Sequence, residues 1–279
     1  MERTYETVEV TREDQIAWVR FNRPEKRNAF SPQLNRDMVE VLWDLHGDDS
    51  TTVLVLTGKG ESFSAGMDLK EYFREQEGSE TAFLRARYDA RTWMYELLRY
   101  YPKTTIAAVN GWCFGGGLQP LVSCDLAIAA EEARFGLSEV NWGILPGGSV
   151  TQDIALTMNY RDALYYILTG KAFDGQEARR VGLVNDVVPG AQLEDAVREL
   201  VADLSKLNPA VLRSAKETYK FARSMPEDEA YDYVSAKQAQ LRGRDPEQGR
   251  RRGMSQFLDD KSFRPGLGPY ERQQAGSSS

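Results

Sequence analysis

Histidine is almost absent from this chain of 279 residues, and its absence narrows the possible chemistry. His46 is the one histidine, and it lies far in sequence from every glycine-rich motif. A Ser-His-Asp or Cys-His mechanism would have to recruit it, and a histidine-based zinc site has too few ligands. We therefore expect no metal site and place His46 at the surface or in the last turn of a helix. Catalysis is left to carboxylates, phenols or backbone dipoles.

Cysteine, long apolar runs and excess positive charge are scarce as well. Cys113 and Cys124 form no CxxC pair, and the N-terminal Met-Glu-Arg-Thr lacks an apolar signal region, so we expect free thiols and a cytoplasmic protein. No segment approaches the roughly 20 apolar residues of a membrane span. A net charge of −7 and a pI near 5.1 argue against nucleic acid as a partner, since the longest basic cluster is only Arg250–Arg252.

What the chain does contain is an alternation of apolar strands and amphipathic helices typical of an α/β fold. We predict strands at 5–10, 16–21, 53–56, 106–109, 126–129 and 183–187, separated or followed by helices at 70–76, 81–100, 116–123 and, after residue 150, almost continuously. Right-handed crossovers then give a mostly parallel sheet. We predict a core at 1–194, a helical region at 195–265 and a disordered tail at 266–279.

The chain is organised around the stretch Asn110-Gly-Trp-Cys-Phe-Gly-Gly-Gly117. It follows a buried strand and opens a helix, and its glycines allow the backbone to approach a ligand closely. The helix adds its positive end at the same place, so the stretch favours an oxygen that gathers negative charge. Alone, such a triple glycine would more often be an ordinary turn.

A second stretch, Ser62-Phe-Ser-Ala-Gly-Met-Asp-Leu-Lys-Glu-Tyr72, makes a functional interpretation stronger. It also follows a buried strand, so its backbone reaches the carboxyl end of a parallel sheet, where α/β folds bind their ligands. The Met67 N–H and the Gly116 N–H are our two candidate donors to one oxyanion.

These two stretches, together with Asn22-Arg-Pro-Glu-Lys-Arg-Asn-Ala29 and Phe135-Gly-Leu-Ser-Glu-Val-Asn-Trp-Gly143, resemble the crotonase (enoyl-CoA hydratase/isomerase) superfamily. The resemblance runs from about residue 8 to about residue 265. Longer strings, including Gln256-Phe-Leu-Asp-Asp-Lys-Ser262, are similar to the hydroxycinnamoyl-CoA hydratase-lyases within it. The resemblance implies a spiral of β-β-α repeats with a C-terminal helical trimerisation region, and assigns Met67 and Gly116 to the oxyanion hole.

Glu139 is the candidate acid and base. Its neighbours are apolar, and a carboxyl group that loses water holds its proton more readily. The resemblance assigns the same residue, although a glutamate in a salt bridge would also explain it. Ordinary enoyl-CoA hydratases carry a second glutamate three residues beyond the second donor, which here is Gln119. An amide cannot exchange protons, so the two-glutamate mechanism is not available. The hydratase-lyases have a serine there, so Gln119 fits neither pattern.

The resemblance also implies an aryl-binding site. Tyr72 matches one of two tyrosines that hold the substrate phenol, whereas the other falls on Ser235. Tyr231 lies four residues earlier on the same helix face and is a possible substitute. Trp142, three residues after Glu139, is a further candidate for contact with the acyl group. Alternatively, the acyl group is not hydroxycinnamoyl.

Coenzyme A enters as part of the substrate, and no separate cofactor is expected. Its phosphates require positive charge in an acidic protein. The resemblance implies contacts from main chain at 64–68, from basic side chains, and from the C-terminal helix of a neighbouring subunit. The candidates are Lys26, Arg27, Ala65, Asp68, Lys70, Phe257 and Lys261. Each basic residue could equally be a solvated surface charge.

The function that the resemblance implies is hydration and retro-aldol cleavage of a feruloyl- or p-coumaroyl-CoA type thioester to an aromatic aldehyde and acetyl-CoA. An enoyl-CoA isomerase or another crotonase with one glutamate is the first alternative. A CoA-binding homologue without turnover is the second. The expected partner besides the acyl-CoA is the chain itself, as a homotrimer or a dimer of trimers.

Overall fold

The computed structural model describes residues 3–272 of the chain. The chain forms two compact units, Met1–Arg198 and Glu199–Ser279, which are taken separately below. Within the described residues, no helix has the length and apolar character that a membrane span needs. Among the same residues, no group of three His, Cys, Asp or Glu side chains is arranged to hold a metal ion.

The strands of the first unit form two sheets. They are β1 (Val8–Glu13), β2 (Ile16–Phe21), β3 (Val53–Gly58), β4 (Ser62–Ser64), β5 (Thr104–Val109), β6 (Trp112–Phe114), β7 (Leu126–Ala130), β8 (Arg134–Gly136), β9 (Phe173–Asp174) and β10 (Asp186–Val188). One sheet has six strands in the order β1-β2-β3-β5-β7-β10, parallel except for β1. The other has four strands in the order β4-β6-β8-β9, parallel except for β9.

Helices follow the strands. They are α1 (Pro32–His46), α2 (Glu80–Arg91), α3 (Leu118–Ser123), α4 (Val150–Thr157), α5 (Tyr160–Thr169), α6 (Gly175–Arg180) and α7 (Leu193–Ser205), which carries the chain into the second unit. Two π-helical segments, Leu69–Phe73 and Thr92–Leu97, and several 3-10 turns complete the unit. His46 lies exposed in the last turn of α1 beside Trp43, which confirms its predicted place.

The strand order shows a repeated pair of strands. In each repeat a long strand joins the six-stranded sheet and the next, short strand joins the four-stranded sheet, as β3 and β4, β5 and β6, and β7 and β8 do. The long strands lie side by side, and so do the short ones. The predicted β-β-α spiral is confirmed. The short strands were missed, because three residues are too few to show a periodicity.

A buried aromatic cluster lies behind these strands. Phe21, Phe30, Phe63 and Trp93 are fully buried, and their rings meet edge to face, with centroids 5.2 Å apart for Phe21 and Phe30 and 5.5 Å apart for Phe30 and Trp93. Each such contact adds about 0.5–1.5 kcal/mol beyond the burial of area. The Trp93 indole N–H donates to Asn35 Oδ1 at 2.8 Å, which satisfies its polar atom. Phe30 is therefore fixed in place by packing.

Asn28 joins the loop after β2 to the turn between β3 and β4. Its Nδ2 donates to the carbonyl oxygens of Lys59 at 3.0 Å and Ser62 at 2.6 Å, and its Oδ1 accepts from the Arg23 N–H at 2.9 Å. The residue is fully buried and has a left-handed backbone with φ of 56°, a conformation that asparagine tolerates better than most residues. One side chain thus satisfies three buried backbone groups.

The second unit is helical, with α8 (Pro209–Ala222), α9 (Glu227–Arg244) and α10 (Gly249–Leu258). Asn208 caps α8 and also donates to Asp245 and to the Tyr270 hydroxyl. Of the tail predicted to be disordered, 266–279, the structure describes 266–272. Arg272 is ion-paired to Glu247 and donates to the carbonyl oxygens of residues 205 and 207. Residues 273–279 lie outside the described part.

Other sequence-based bounds needed correction at the ends. The first strand begins at Val8 rather than at residue 5 and runs on to Glu13, so the turn is confined to Asp14 and Gln15. The last strand is Asp186–Val188, three residues later than its predicted start. In both places the apolar run is shared by strand and flanking loop, so hydrophobicity alone does not mark the boundary.

Asn28→Ala should lower the free energy of unfolding by about 2–4 kcal/mol, because it leaves three buried backbone groups without their partner. Denaturant-induced unfolding of the wild type and the variant measures the difference. Glu25→Ala, an exposed change in the adjoining turn, serves as the control and should shift it by no more than about 0.5 kcal/mol. Equal stabilities of the wild type and Asn28→Ala would contradict this role.

Candidate active site

The three groups predicted to carry the chemistry follow three neighbouring strands. Met67 comes three residues after β4, Gly116 two residues after β6, and Glu139 three residues after β8. Because β4, β6 and β8 are parallel and adjacent, their carboxyl ends lie along one edge of the four-stranded sheet. The sequence predicts instead that the two donors directly follow the longer apolar strands. That assignment was wrong, since a short strand lies between each long strand and its functional turn.

Met67 is held by the backbone of Phe30. The Phe30 N–H donates to the Gly66 carbonyl at 2.8 Å, and the Phe30 carbonyl accepts from the Asp68 N–H at 3.1 Å, which makes a parallel bridge centred on Met67. Backbone groups alternate in direction along an extended chain, so the N–H of Met67 points away from Phe30. The aromatic cluster around Phe30 thereby fixes the direction of this N–H.

The two glycine turns approach each other as closely as backbone allows. A Cβ built on Gly66 would lie 3.0 Å from the Gly116 nitrogen and 2.7 Å from the Phe114 carbonyl oxygen, and Gly66 has a φ of +92°. A Cβ on Gly116 would lie 3.4 Å from the Met67 nitrogen. Gly116 belongs to the first turn before α3, where N–H groups lack partners within the helix. The backbone nitrogens of Met67 and Gly116 therefore lie close to each other.

Glu139 lies against the same turn. A Cβ on Gly115, whose φ is +51°, would be 3.0 Å from Glu139 Oε1. Glu139 Oε2 is buried, and none of the described residues hydrogen-bonds to it. Burial raises the pKa of Glu139 above the ordinary value of its carboxyl group, against a smaller lowering by a backbone hydrogen bond. The turn that carries it, Glu139–Trp142, is tied to the end of α5 by Asn141 Nδ2, which donates to the Gly170 carbonyl at 3.2 Å.

Two adjacent N–H groups and one desolvated carboxyl group form an arrangement suited to enolate chemistry. The N–H groups can hold the oxygen of a carbonyl as it gains charge, and one such donor typically contributes about 3–4 kcal/mol to the transition state. A carboxyl group with a raised pKa can both take and return a proton near neutral pH. The site can therefore move protons at carbons next to a thioester.

Tyr72 lies beside Met67 in a small cluster with Phe83, Ala86 and Ala90. It is 6% exposed, and burial raises its pKa to about 12, so its hydroxyl stays protonated at neutral pH. The residue sits in the π-helical turn Leu69–Phe73, a local widening that often occurs at functional sites. Tyr72 can thus donate a hydrogen bond within an apolar, aromatic cluster.

Gln119 is 1% exposed at the start of α3, one helical turn after Gly115 and Gly116. Its amide nitrogen donates to Asp153 Oδ2 at 2.8 Å. Asp153 was not among the residues predicted for the site. It lies 34 residues away in sequence, and a lone aspartate in an amphipathic helix carries no recognisable signal.

Four of the predicted CoA ligands of the first unit are exposed, namely Lys26, Arg27, Ala65 and Lys70. Arg27 stacks over the exposed Trp112 ring with its guanidinium carbon 5.4 Å from the ring centroid, and its carbonyl accepts from the Ala65 N–H at 2.9 Å. Lys26 is exposed in the turn just before Arg27. Lys70 is exposed and lies 3.5 Å from Glu75. Trp112 was missed, although an aromatic ring beside an arginine offers a surface on which a planar base can stack.

Both carboxylate oxygens of Asp68 accept hydrogen bonds from groups of the fold. Its Oδ1 accepts from the N–H groups of Lys70 and Glu71, and its Oδ2 accepts from the buried Arg23 at 3.1 Å. Burial pushes the pKa of Asp68 up, but these hydrogen bonds outweigh it and hold the pKa below the ordinary value. A contact of Asp68 with CoA would therefore have to come from its backbone.

The remaining candidates are exposed. Trp142 ends the turn that begins at Glu139 and is 69% exposed. In the second unit, Tyr231 and Ser235 lie exposed on one face of α9, and Phe257 lies on α10 with Lys261 three residues beyond its end. Their assignment to substrate or CoA stays a prediction.

Comparison with known proteins identifies the family to which the chain belongs. The family model of enoyl-CoA hydratase/isomerase matches residues 11–264. The chain belongs to the enoyl-CoA hydratase/isomerase family. Its structure is similar to that of an enoyl-CoA hydratase from Bacillus anthracis, with a TM-score of 0.83 and 28% identity over 95% of this chain and 99% of the other. The predicted crotonase-like fold is confirmed.

Two members of the enoyl-CoA hydratase/isomerase family are informative relatives. A hydroxycinnamoyl-CoA hydratase-lyase from Pseudomonas fluorescens is 55% identical over 96% of this chain and 98% of its own length. An (E)-benzylidenesuccinyl-CoA hydratase from Thauera aromatica is 34% identical over 79% of this chain and 84% of its own. The resemblance inferred from the motifs is confirmed at both the family and the subfamily level.

Glu139→Gln should stabilise the folded protein at neutral pH. The pKa of Glu139 is raised in the folded state, so the folded state binds the proton more tightly than the unfolded state, where the pKa is about 4.3. The stabilising contribution is fully present below that value and is lost as pH rises through the folded pKa. Unfolding free energies of both proteins, measured from pH 4 to pH 8, should diverge in favour of the variant. A constant difference across this range would contradict the assignment.

Proposed function

We propose that the chain hydrates and cleaves a hydroxycinnamoyl-CoA type thioester, such as feruloyl- or p-coumaroyl-CoA, to an aromatic aldehyde and acetyl-CoA. The observation that carries the proposal is one buried carboxyl group, Glu139, facing a turn whose N–H adjoins that of Met67. The 55% identity to the Pseudomonas fluorescens hydratase-lyase over nearly the full length of both chains supports the same reaction. Gln119 argues against the hydration mechanism that uses two glutamates.

In the first step, water adds across the double bond of the arylacrylyl thioester. Glu139 takes one proton from the water as the water oxygen bonds to the benzylic carbon. The electron pair of the double bond moves through the conjugated system to the thioester oxygen. The N–H groups of Met67 and Gly116 stabilise that oxyanion. Glu139 then delivers its proton to the carbon next to the carbonyl, which gives the β-hydroxy thioester.

In the second step, the hydroxylated thioester undergoes retro-aldol cleavage. Glu139, again ionised, takes the hydroxyl proton, and the bond between the benzylic carbon and its neighbour breaks to release the aldehyde. The electron pair forms the enolate of acetyl-CoA, which the same two N–H groups hold. The proton on Glu139 returns to the enolate carbon, and so one carboxyl group serves both steps.

Tyr72 supports an aryl substrate. Its neutral hydroxyl lies among apolar and aromatic side chains beside Met67, so it can donate to a phenol oxygen on the ring. Electron release from that oxygen stabilises positive charge at the benzylic carbon when water attacks. Tyr231, one turn before Ser235 on α9, is the proposed replacement for the second phenol-binding tyrosine.

Glu139→Gln should lower the rate of aldehyde formation from feruloyl-CoA by about 100- to 10,000-fold, since it removes the proton carrier of both steps. The aldehyde is followed by its absorbance and acetyl-CoA by mass spectrometry. Glu61→Gln is the matched control, because it removes one carboxylate from an exposed position. Aldehyde formation that Glu139→Gln leaves undiminished would refute the assignment.

The same assay separates the rival functions. An isomerase would shift the double bond of a 3-enoyl-CoA without taking up water and would release no aldehyde. A homologue without turnover would bind CoA and convert no thioester. Incubation of the wild type with a panel of aryl and enoyl thioesters distinguishes all three by the mass of the product.

The proposed assembly is a homotrimer, alone or as a pair of trimers, located in the cytoplasm. Apolar side chains in the predicted trimerisation region, 195–265, remain exposed, among them Tyr219 at 67% and Leu258 at 50%. Exposed apolar surface of this kind marks a site of association, and a second copy of the chain is the occupant that the family resemblance favours.

Light scattering should therefore give a mass of three or six times the chain mass of 31.5 kDa. Leu258→Glu would place a charge in the proposed interface and should shift the mass toward the monomer. A wild-type protein that runs as a monomer at micromolar concentration would exclude this assembly.

A further inference from the structure

The side chain of Met67 lies directly beside the second proposed donor, Gly116. A Cβ built on Gly116 would be 3.1 Å from Met67 Cγ and 3.2 Å from Met67 Sδ. Both distances are shorter than the separation of about 3.5–4.0 Å at which carbon atoms pack best. The Met67 thioether therefore occupies the space that a side chain at position 116 would need.

The same side chain contacts the cluster around Tyr72. Met67 packs against the Tyr72 cluster, which consists of the buried residues Tyr72, Ala86 and Ala90. It also packs against the main core of the first unit. One side chain thus adjoins both parts of the site that the proposed function needs, the donor turn at Gly116 and the proposed aryl site at Tyr72.

The backbone of Met67 is held independently of this side chain. The Phe30 N–H donates to the Gly66 carbonyl, and the Phe30 carbonyl accepts from the Asp68 N–H, so the two hydrogen bonds flank Met67. Neither bond involves the Met67 side chain. A substitution at position 67 therefore changes the side chain and retains the N–H, which separates the two roles experimentally.

Met67 differs from a residue that only fills the core. It keeps part of its surface accessible, whereas Phe30 is fully buried. A thioether accepts only weak hydrogen bonds, so it does not compete with a carbonyl oxygen for the N–H donors. The surface that Met67 offers beside Gly116 is apolar and polarizable, and it suits the carbon chain of an acyl group.

We propose that the Met67 side chain determines specificity by excluding a branch on the acyl carbon next to the thioester carbonyl. The proposal rests on the proposed function. A carbonyl oxygen that bonds to the Gly116 N–H brings the carbonyl carbon, and the carbon attached to it, next to this glycine. The thioether beside the same glycine leaves room for a hydrogen on that carbon but not for a methyl group.

The reaction that Met67 excludes starts from α-methylferuloyl-CoA, which carries one methyl group on the carbon next to the carbonyl. Water adds with its oxygen on the benzylic carbon and one hydrogen on the methyl-bearing carbon. Cleavage breaks the bond between these two carbons, and the hydroxyl proton passes through Glu139 to the enolate carbon. The products are the same aromatic aldehyde and propionyl-CoA, because the methyl group stays on the acyl fragment.

The rival explanation is that Met67 serves packing alone. A packing defect would slow the conversion of feruloyl-CoA and α-methylferuloyl-CoA by the same factor, because both use one site. Removal of a steric limit instead changes the ratio of the two rates. The effect of the methyl group on intrinsic reactivity is the same for every variant, so it cancels when these ratios are compared.

The experiment measures kcat/KM for both thioesters with the wild type, Met67→Ala and Met67→Leu. Met67→Ala removes the thioether, whereas Met67→Leu keeps a side chain of similar volume. Met158→Ala is the packing control. Met158 is a buried core residue just after α4, 5% exposed, and it belongs to the main core rather than to the Tyr72 cluster. Aldehyde is followed by absorbance, and acetyl-CoA and propionyl-CoA are distinguished by mass.

Met67→Ala should lower the preference for feruloyl-CoA over α-methylferuloyl-CoA by about 10- to 200-fold, the range for one carbon group in an apolar site. Met67→Leu and Met158→Ala should keep the wild-type preference. A preference that Met67→Ala leaves unchanged, or that Met158→Ala lowers equally, would overturn the inference. If Met67→Ala fails to fold, as judged by circular dichroism, Met67→Val decides, because a β-branched residue suits the extended backbone that pairs with Phe30.

Failure of the proposed function gives a different result. A wild-type protein that forms no aldehyde from feruloyl-CoA would refute the cleavage reaction. The steric limit is then tested by calorimetry, through the Kd values of the unreactive 3-(4-hydroxyphenyl)propionyl-CoA and its α-methyl analogue. Met67→Ala should narrow the difference in affinity between these two by the same factor, and an unchanged difference would overturn the role of the Met67 side chain.

Discussion

The close approach of two glycine turns is the constraint on which the site depends. Gly66 and Gly116 leave no room for a side chain between them, so the N–H groups of Met67 and Gly116 come to lie together. The repeat produces this approach. Because β3 neighbours β5 and β4 neighbours β6, the turns that follow the two short strands must also be neighbours. The next repeat delivers Glu139 to the same edge by the same rule.

Rigidity of the turns comes from the core rather than from the turns themselves. The Phe30 ring packs edge to face against Phe21 and Trp93. Its backbone hydrogen-bonds to Gly66 and Asp68, the residues on either side of Met67. Arg23 and Asp68 then fix the start of the helical turn that presents Tyr72. An oxyanion hole works without reorganisation only if its donors are already oriented. The orientation of the proposed donor Met67 is determined by aromatic packing and buried hydrogen bonds.

Sequence predicts those parts of the site whose residues are contiguous in the chain. Glycine next to a strand end and a helix start predicts Met67 and Gly116 as donors, and an apolar setting predicts Glu139 as the acid and base. Asp153 escaped prediction because its meaning comes from a contact across 34 residues. The short strands escaped because pairing with neighbours, not periodicity, makes them strands. Asp68 lies in a stretch predicted to contact CoA through its main chain, and its side chain holds the fold together.

Stability and chemistry oppose each other at two oxygens. The Asn28 side chain bonds to three backbone groups, yet Glu139 Oε2 and Gln119 Oε1 are left without described partners. Burial destabilises the ionised form of Glu139 and so raises its pKa. The same raised pKa suits a carboxyl group that must take up and return a proton. Asp153 and Ser123 accept hydrogen bonds from the Gln119 amide nitrogen. The Gln119 carbonyl oxygen is therefore the atom left without a described partner.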